Sequence, residues 1–325
     1  MSKSKQSLNV LFTCIGRRVS LVNGFRSAAK DLKIGIKVFG TDRTELSPAL
    51  QLCDAKFVTC PIKDEGYIKE ILRIVRNNKI DLLIPTIDTE LKSLADNKEK
   101  FEKLGCKLLV SSPEVVDICQ DKRKTFIFLK RHNFDTPQTM SLAVAMKDKK
   151  LTMPRFLKPW DGSASKGSQI VKNRKELEFF GKRIKNCIVQ EFIKGQEFTC
   201  DAYVDFNMNV RCVVPRMRIE VRGGEVSKGQ TCKDAVIMKA VKEVVDTLGA
   251  GPGIITIQLI SNGCGIKFIE INPRFGGGAP LGIGAGANYP KWILQEMIGQ
   301  KPKIQFDGFK DGLIMLRYDA EVWKQ

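Results

Sequence analysis

Phe268-Ile269-Glu270-Ile271-Asn272-Pro273-Arg274-Phe275 is the segment from which the rest of this 325-residue chain can be read. In an extended strand successive side chains alternate, so Glu270 and Asn272 share one face while Ile269 and Ile271 share the other. Two hard oxygen donors on one face suit a magnesium ion. A lone Glu-x-Asn pair would be an ordinary half-exposed strand, so the flanking sequence has to decide. Just upstream, Ile254 to Ile260 forms a second apolar run, and its Thr256-Ile257-Gln258-Leu259 reads as the neighbouring strand, with a helix over Ala235 to Leu248 before it.

Further upstream the texture is short β runs broken by glycine. Val189-Gln190-Glu191-Phe192-Ile193-Lys194-Gly195-Gln196-Glu197-Phe198 has the spacing of a strand, a turn and a second strand. Phe156-Leu157-Lys158-Pro159-Trp160-Asp161-Gly162-Ser163-Ala164-Ser165-Lys166-Gly167-Ser168 sets a lysine at a strand end and follows it with a loop of small residues. Such a loop can present backbone N–H groups to phosphates. It is neither a Walker A sequence nor a dinucleotide fingerprint, and by itself it reads equally well as a solvent-exposed hairpin turn. Residues from Arg218 to Asp234 form a polar segment ahead of the helix at Ala235.

The first ~110 residues alternate regularly, at the size of one ordinary domain. Strands are expected over Leu8 to Thr13, Ile36 to Gly40, Ala55 to Thr59, Asp81 to Pro85 and Lys107 to Ser111. Helices fall between them, including Tyr67 to Asn77 and one starting at Glu90. That alternation predicts a doubly wound parallel sheet with chemistry at the carboxyl ends of its strands. Ser112-Pro113 then reads as an N-cap and first helical position, opening a new unit. The fold class is therefore α/β with an α+β second half, and the whole chain is expected to divide into residues 1–112, 113–188 and 189–325.

Composition narrows the function. Hydrophobic residues make up 43% of the chain, no run is long enough to span a bilayer, and the opening residues lack a secretory h-region, so the protein reads as cytoplasmic. Ten cysteines occur singly without a CxxC pair, which argues for reduced thiols over disulfides or zinc. The one histidine, His132, lies at an expected helix end, which disfavours histidine-based catalysis. A net charge of +18 can attract nucleic acid, membrane or anionic metabolites, but its lysines are spread along the chain and not interleaved with aromatics.

Taken in order, Asp121-Lys122, the Lys158 loop, the Glu191–Glu197 segment and Glu270-Ile271-Asn272-Pro273-Arg274 resemble ATP-grasp enzymes, most closely those related to the carbamoyl-phosphate synthase large subunit. Leu11-Phe12-Thr13-Cys14-Ile15-Gly16-Arg17-Arg18 and Leu83-Ile84-Pro85-Thr86-Ile87-Asp88-Thr89-Glu90-Leu91 resemble the preATP-grasp domain of that group, so the resemblance covers nearly the whole chain. It implies a preATP-grasp parallel sheet followed by an ATP-grasp fold with ATP and Mg2+ as cofactors, Mn2+ being an alternative ion. Lys122 and Lys158 would contact nucleotide phosphates, with Gly162, Ser163, Ser165 and Gly167 in a covering loop. Glu191 and the backbone of Phe192 and Ile193 would hold adenine, and Glu197 the ribose. Glu270 and Asn272 would bind metal. Gln258 stands where many relatives carry an acidic ligand and the synthase-like group carries glutamine, which leaves the number of ions open. Arg274 would steady the transferring phosphoryl group, and some of Arg216, Arg218, Arg222 and Lys228 are candidates for the acceptor carboxylate or γ-phosphate, with a salt-bridged surface strand as the alternative. Gly276 to Gly286 is expected to line the substrate side.

The activity implied is ligation of a carboxylate, activated as an acylphosphate, to an amine, with small-molecule partners, no membrane and no nucleic acid. A homodimer is compatible with the sequence. Two other readings remain: phosphorylation of bicarbonate or carbamate, and a basic nucleic-acid-binding protein with a degenerate nucleotide pocket. The single unit, without a glutaminase, disfavours the first. The intact set of Lys122, Lys158, Glu191, Glu197, Glu270 and Asn272 disfavours the second.

Overall fold

Val10, Leu11 and Phe12 are completely buried on consecutive positions, as a strand must be when helices cover both faces of its sheet. They belong to β1 (Ser7–Thr13), the centre of a parallel sheet with β2 (Gly35–Asp42), β3 (Ala55–Val58), β4 (Leu82–Pro85) and β5 (Lys107–Leu108), in the order β3-β2-β1-β4-β5. The computed structural model describes residues 7–162, 166–263 and 265–324. Val10 and Phe12 face the helix Val19–Leu32, whose Leu21, Val22 and Phe25 complete that layer. Leu11 faces the helices Tyr67–Asn77 and Asp88–Ala95 on the other side. The expected doubly wound sheet is present, although its last strand pairs over only two residues.

Ser112 caps the helix Pro113–Gln120 by accepting from Val115 N at 3.4 Å, and Asp121 caps Lys122–Arg131 by accepting from Arg123 N at 2.9 Å. His132 closes that helix against Phe128. A small antiparallel sheet follows, made of β6 (Thr139–Ser141), β7 (Arg155–Pro159), β8 (Gln169–Val171) and β9 (Cys187–Glu191) in the order β6-β9-β7-β8. It has its own core, in which Leu157, Val171 and Val189 pack with Ala145 and Leu177 from two flanking helices.

The third sheet is antiparallel: β10 (Gln196–Val204), β11 (Val210–Arg222), β12 (Glu225–Thr231), β13 (Gly253–Ser261), β14 (Ile266–Asn272) and β15 (Ile314–Leu316), ordered β14-β13-β10-β11-β12-β15. The polar segment Arg218 to Asp234, to which the sequence assigns no definite element, is mostly the β11–β12 hairpin, turning at Gly223 and Gly224 in positive-φ conformations. Its charged residues lie along a strand with one face toward a cavity and the other toward solvent, so the hydrophobic alternation that marks a strand is missing. The helix Ala235–Leu248 packs on this sheet as expected. The apolar face of the third sheet and one face of the first form one continuous core, in which Phe12 and Phe25 share a cluster with Ala202, Ile257 and Ile271, and Phe25 meets Phe275 edge to face at 6.2 Å.

Candidate active site

Register across the third sheet builds the site. Arg216 on β11 pairs with Thr199 on β10, Thr199 with Gln258 on β13, and Gln258 with Glu270 on β14, so one row crosses four strands. Two residues along, Asp201 pairs with Thr256, and Thr256 with Asn272. The two-residue period puts both rows on one face. Asp201 is completely buried and takes Arg216 bidentately, Nε and Nη2 each 2.8 Å from a carboxylate oxygen. Asn272, with its amide nitrogen toward the acids, donates to Glu270 Oε1 at 3.3 Å and Asp88 Oδ1 at 3.0 Å.

A cavity of about 330 Å³ opens over these rows, walled by Arg18, Arg216, Arg218 and Arg274 with Asp88, Glu225 and Glu270. Gly276-Gly277-Gly278 forms part of its floor. A Cβ on Gly278 would sit 2.1 Å from Arg216 Nη1, and one on Gly277 would sit 2.8 Å from Arg18 Nη1, so the arginines approach only because side chains are missing there. Arg18, at the start of the helix Val19–Leu32, pairs with Glu225 at 3.3 Å, and Arg317 pairs with the same carboxylate at 3.2 Å. Burial pushes the Glu225 carboxyl up, but Arg18 and Arg317 outweigh it and hold the group below the usual range.

A second cavity of about 220 Å³ adjoins the first and shares Arg218, Gln258 and Glu270 with it. Lys122, Lys158, Gly162, Phe156 and Glu197 line it. Lys122 Nζ donates to Gly162 O and lies 3.9 Å from Glu270. Lys158, only 5% exposed, has its pKa lowered to about 8 by burial and by Lys122, against the pull of Glu270 and Glu197. Burial raises the Glu197 carboxyl even though Arg218 stands 3.0 Å away. Lysine point charges on one wall and oxygen donors on the other form a receptacle for a polyphosphate.

Most residues singled out in the sequence meet here: Lys122, Lys158, Gly162, Glu197, Gln258, Glu270, Asn272, Arg274 and Arg216 line one or both cavities. Gly167, in positive φ, packs against Pro159 beside them. Ser163 and Ser165 lie outside the described residues. Glu191, Phe192 and Ile193 are not in either lining; the Glu191 carboxylate accepts from Gln138 N at 3.2 Å and faces Lys267 at 3.7 Å. Lys228 is not brought to the cavities either, because its ammonium is held by Glu220 at 2.7 Å with the side chain 45% exposed. Arg222 pairs with Glu220 in the same exposed cluster. Asp88 was given no role by sequence reasoning. It comes from the first sheet's domain, holds Arg274 through Nε at 3.1 Å and Nη2, and faces Asn272. The only signal for it was its position just past the apolar run of β4, where ligand chemistry gathers in parallel sheets.

A parallel-sheet domain, then a small antiparallel sheet carrying Lys158 on β7 behind a helix that starts at Lys122, then a larger antiparallel sheet carrying Glu270 and Asn272 on β14, is the architecture of an ATP-grasp fold. Two family models agree: "PylC-like, N-terminal domain" matches residues 10–109, and "ATP-grasp domain" matches residues 119–278. The chain thus carries an ATP-grasp domain behind a PylC-like N-terminal domain. It is 24% identical over 265 residues to a 3-methyl-D-ornithine--L-lysine ligase of Methanosarcina mazei, covering 81% of this chain and 65% of that one. It is also 24% identical over 238 residues to the carbamoyl phosphate synthase large chain of Clostridium acetobutylicum, covering 66% of this chain and 22% of that one. The chain thus spans less than two thirds of either relative. Among solved structures, the biotin carboxylase domain of Hydrogenobacter thermophilus 2-oxoglutarate carboxylase, bound to MgADP, ADP and bicarbonate, matches with a TM-score of 0.72 at 15% identity, over 94% of this chain and 73% of that one. No helix among the described residues is long and apolar enough to cross a membrane.

Proposed function

We propose that the chain is an ATP-dependent carboxylate–amine ligase that joins an amino acid or related small acid to an amine through an acylphosphate. The observation that carries this is the pair of adjoining cavities with a common wall of Arg218, Gln258 and Glu270. One has lysines and suits a nucleotide polyphosphate; the other has arginines and suits an organic acid. The Methanosarcina relative's name describes the joining of two amino acids, which is the same class of reaction.

In this reading Lys122 and Lys158 neutralise the phosphates, Glu197 accepts from the ribose hydroxyls, and the 191–193 segment holds the adenine edge. Glu270 would hold magnesium through its carboxylate, and Asn272, whose amide nitrogen faces Glu270 and Asp88 in this structure, would hold it through its oxygen once that amide is turned over; such an ion would supply charge neutralisation at the phosphates. Gln258 is a further donor in the same row. An acid seated among Arg18, Arg216 and Arg274 directs a carboxylate oxygen at the γ-phosphorus. The new O–P bond forms as the bond from phosphorus to the bridging oxygen of ADP breaks. An amine then attacks the acyl carbon, the C–N bond forms, inorganic phosphate leaves, and the nitrogen gives up a proton to solvent or phosphate. Positioning and charge neutralisation suffice, so no histidine or thiolate nucleophile is required. Burial pushes the thiols lining or flanking the first domain, such as Cys14 and Cys119, well up, which suits inert packing.

The test is ADP and phosphate release from Mg-ATP across amino acids, hydroxy acids and bicarbonate, singly and paired with amines. Acid-dependent ADP release with stoichiometric coupled product is the expected outcome. Failure to bind nucleotide, with no turnover on any acid, would falsify the ligase reading, and bicarbonate as the sole active acid would move it to carbamate-type chemistry.

A further inference from the structure

Arg218 is buried, with its side chain 7% exposed, and it stands in the wall common to both cavities. Nη1 is 3.0 Å from Glu197 Oε1 and Nη2 donates to Gly224 O at 3.3 Å, while the buried Nε–H has no acceptor among the described residues. A guanidinium out of water with a donor left over is an unfavourable arrangement that an incoming oxygen anion relieves. Its neighbour Arg216, by contrast, has its Nε engaged, together with Nη2, by Asp201.

We propose that Arg218 is a catalytic residue that binds the transferring γ-phosphoryl group and the acylphosphate formed from it. The inference rests on the ligase reading above. Three observations lead to it: the orphan Nε–H, the place of Arg218 where a nucleotide's last phosphate and an acid's carboxylate have to meet, and the identity of its partner. Glu197 is the carboxylate positioned for the ribose hydroxyls, so a bound nucleotide competes for it and frees Nη1. The guanidinium then turns its fork toward the phosphoryl oxygens, where charge is spread as the new O–P bond forms and the bond to ADP breaks. In the absence of nucleotide the same arginine closes the wall by holding Glu197. Arg218 thus differs from Arg274, whose Nε and Nη2 are both taken by Asp88.

The experiment compares Mg-ADP with the magnesium complex of an ATP analogue whose β,γ-bridging oxygen is replaced by nitrogen, using calorimetric Kd values for the wild-type chain, Arg218→Gln and Arg218→Lys. If Arg218 contacts the terminal phosphoryl group, Arg218→Gln weakens the triphosphate analogue about tenfold or more and leaves Mg-ADP within about twofold. Arg218→Lys, which keeps the charge and loses the fork, falls between wild type and Gln, and decides the matter if Arg218→Gln does not fold. Equal losses for both nucleotides would mean that Arg218 only braces Glu197, and no loss for either would remove it from the phosphoryl site; each result overturns the proposal. A wild-type chain that binds neither nucleotide would instead overturn the ligase reading and this inference with it.

Discussion

Lys158 carries its charge in an unfavourable place, and under the proposed assignment of this lysine to the nucleotide phosphates binding is expected to be sensitive to pH. Its pKa is lowered from 10.5 to about 8, so the cost of burying the ammonium is fully present below pH 8 and is relieved as the pH rises toward 10.5. Stability attributable to this lysine therefore rises across that window, while the fraction carrying the phosphate-binding charge falls. Mg-ADP affinity is expected to drop above pH 8, approaching about tenfold per pH unit, with proton uptake on binding. Lys158→Arg should flatten the profile, because guanidinium stays protonated. A pH-independent Kd for the wild type between pH 7 and 10 would contradict this placement. Glu270→Gln keeps the volume and removes the charge, so the magnesium concentration for half-maximal ADP release should rise about ten- to hundredfold with the circular dichroism unchanged, as expected for loss of a charge-assisted contact. An unchanged magnesium requirement would place the ion elsewhere.

At the level of single elements, the segment between β9 and β10 depends on close backbone contact. A Cβ on Gly195 would lie 2.6 Å from Ser261 O and 2.7 Å from the Ile260 side chain, so the turn is seated directly on the end of β13. Gly195→Ala should cost about 1–3 kcal/mol in chemical denaturation, the usual range for overpacking, and should weaken nucleotide binding by shifting Glu197. Full stability in that variant would show that the turn yields. The same elements show what the sequence could disclose. The strand bearing Glu270 and Asn272 was legible because its period is two and its second face is apolar. The β11–β12 hairpin was not, since Arg216, Arg218, Glu225 and Lys228 hide its period under charge. Lys228 was assigned to the site by its position in that run, and only the structure shows that Glu220 holds it outside. Asp88 was hidden for another reason: its partner Arg274 is 186 residues away, a distance no local pattern spans.

Across the whole molecule, the first and third sheets share one core, whereas the small sheet between them has a separate one. The small sheet is therefore expected to exchange its backbone amides sooner than β10 and β13, and to gain protection when Mg-ADP is added. Uniform exchange across both sheets, with and without nucleotide, would count against a small sheet that opens independently of the shared core. A fragment of residues 113–325 would lose the ring contact of Phe275 with Phe25 and would bare the helix Tyr289–Met297 where Val19–Leu32 had packed on it. It is expected to be aggregated or to lack near-ultraviolet dichroism, and a monomeric, cooperatively unfolding fragment would refute the shared core.

The Asp88–Arg274 contact bears on how such an enzyme can be re-engineered. Because the carboxylate belongs to the parallel-sheet unit and the guanidinium to the metal strand, the two units are not interchangeable parts. A chimera that imports a first unit with a different side chain at position 88 would release Arg274 from its partner, so the two ends of the pair would have to be changed together.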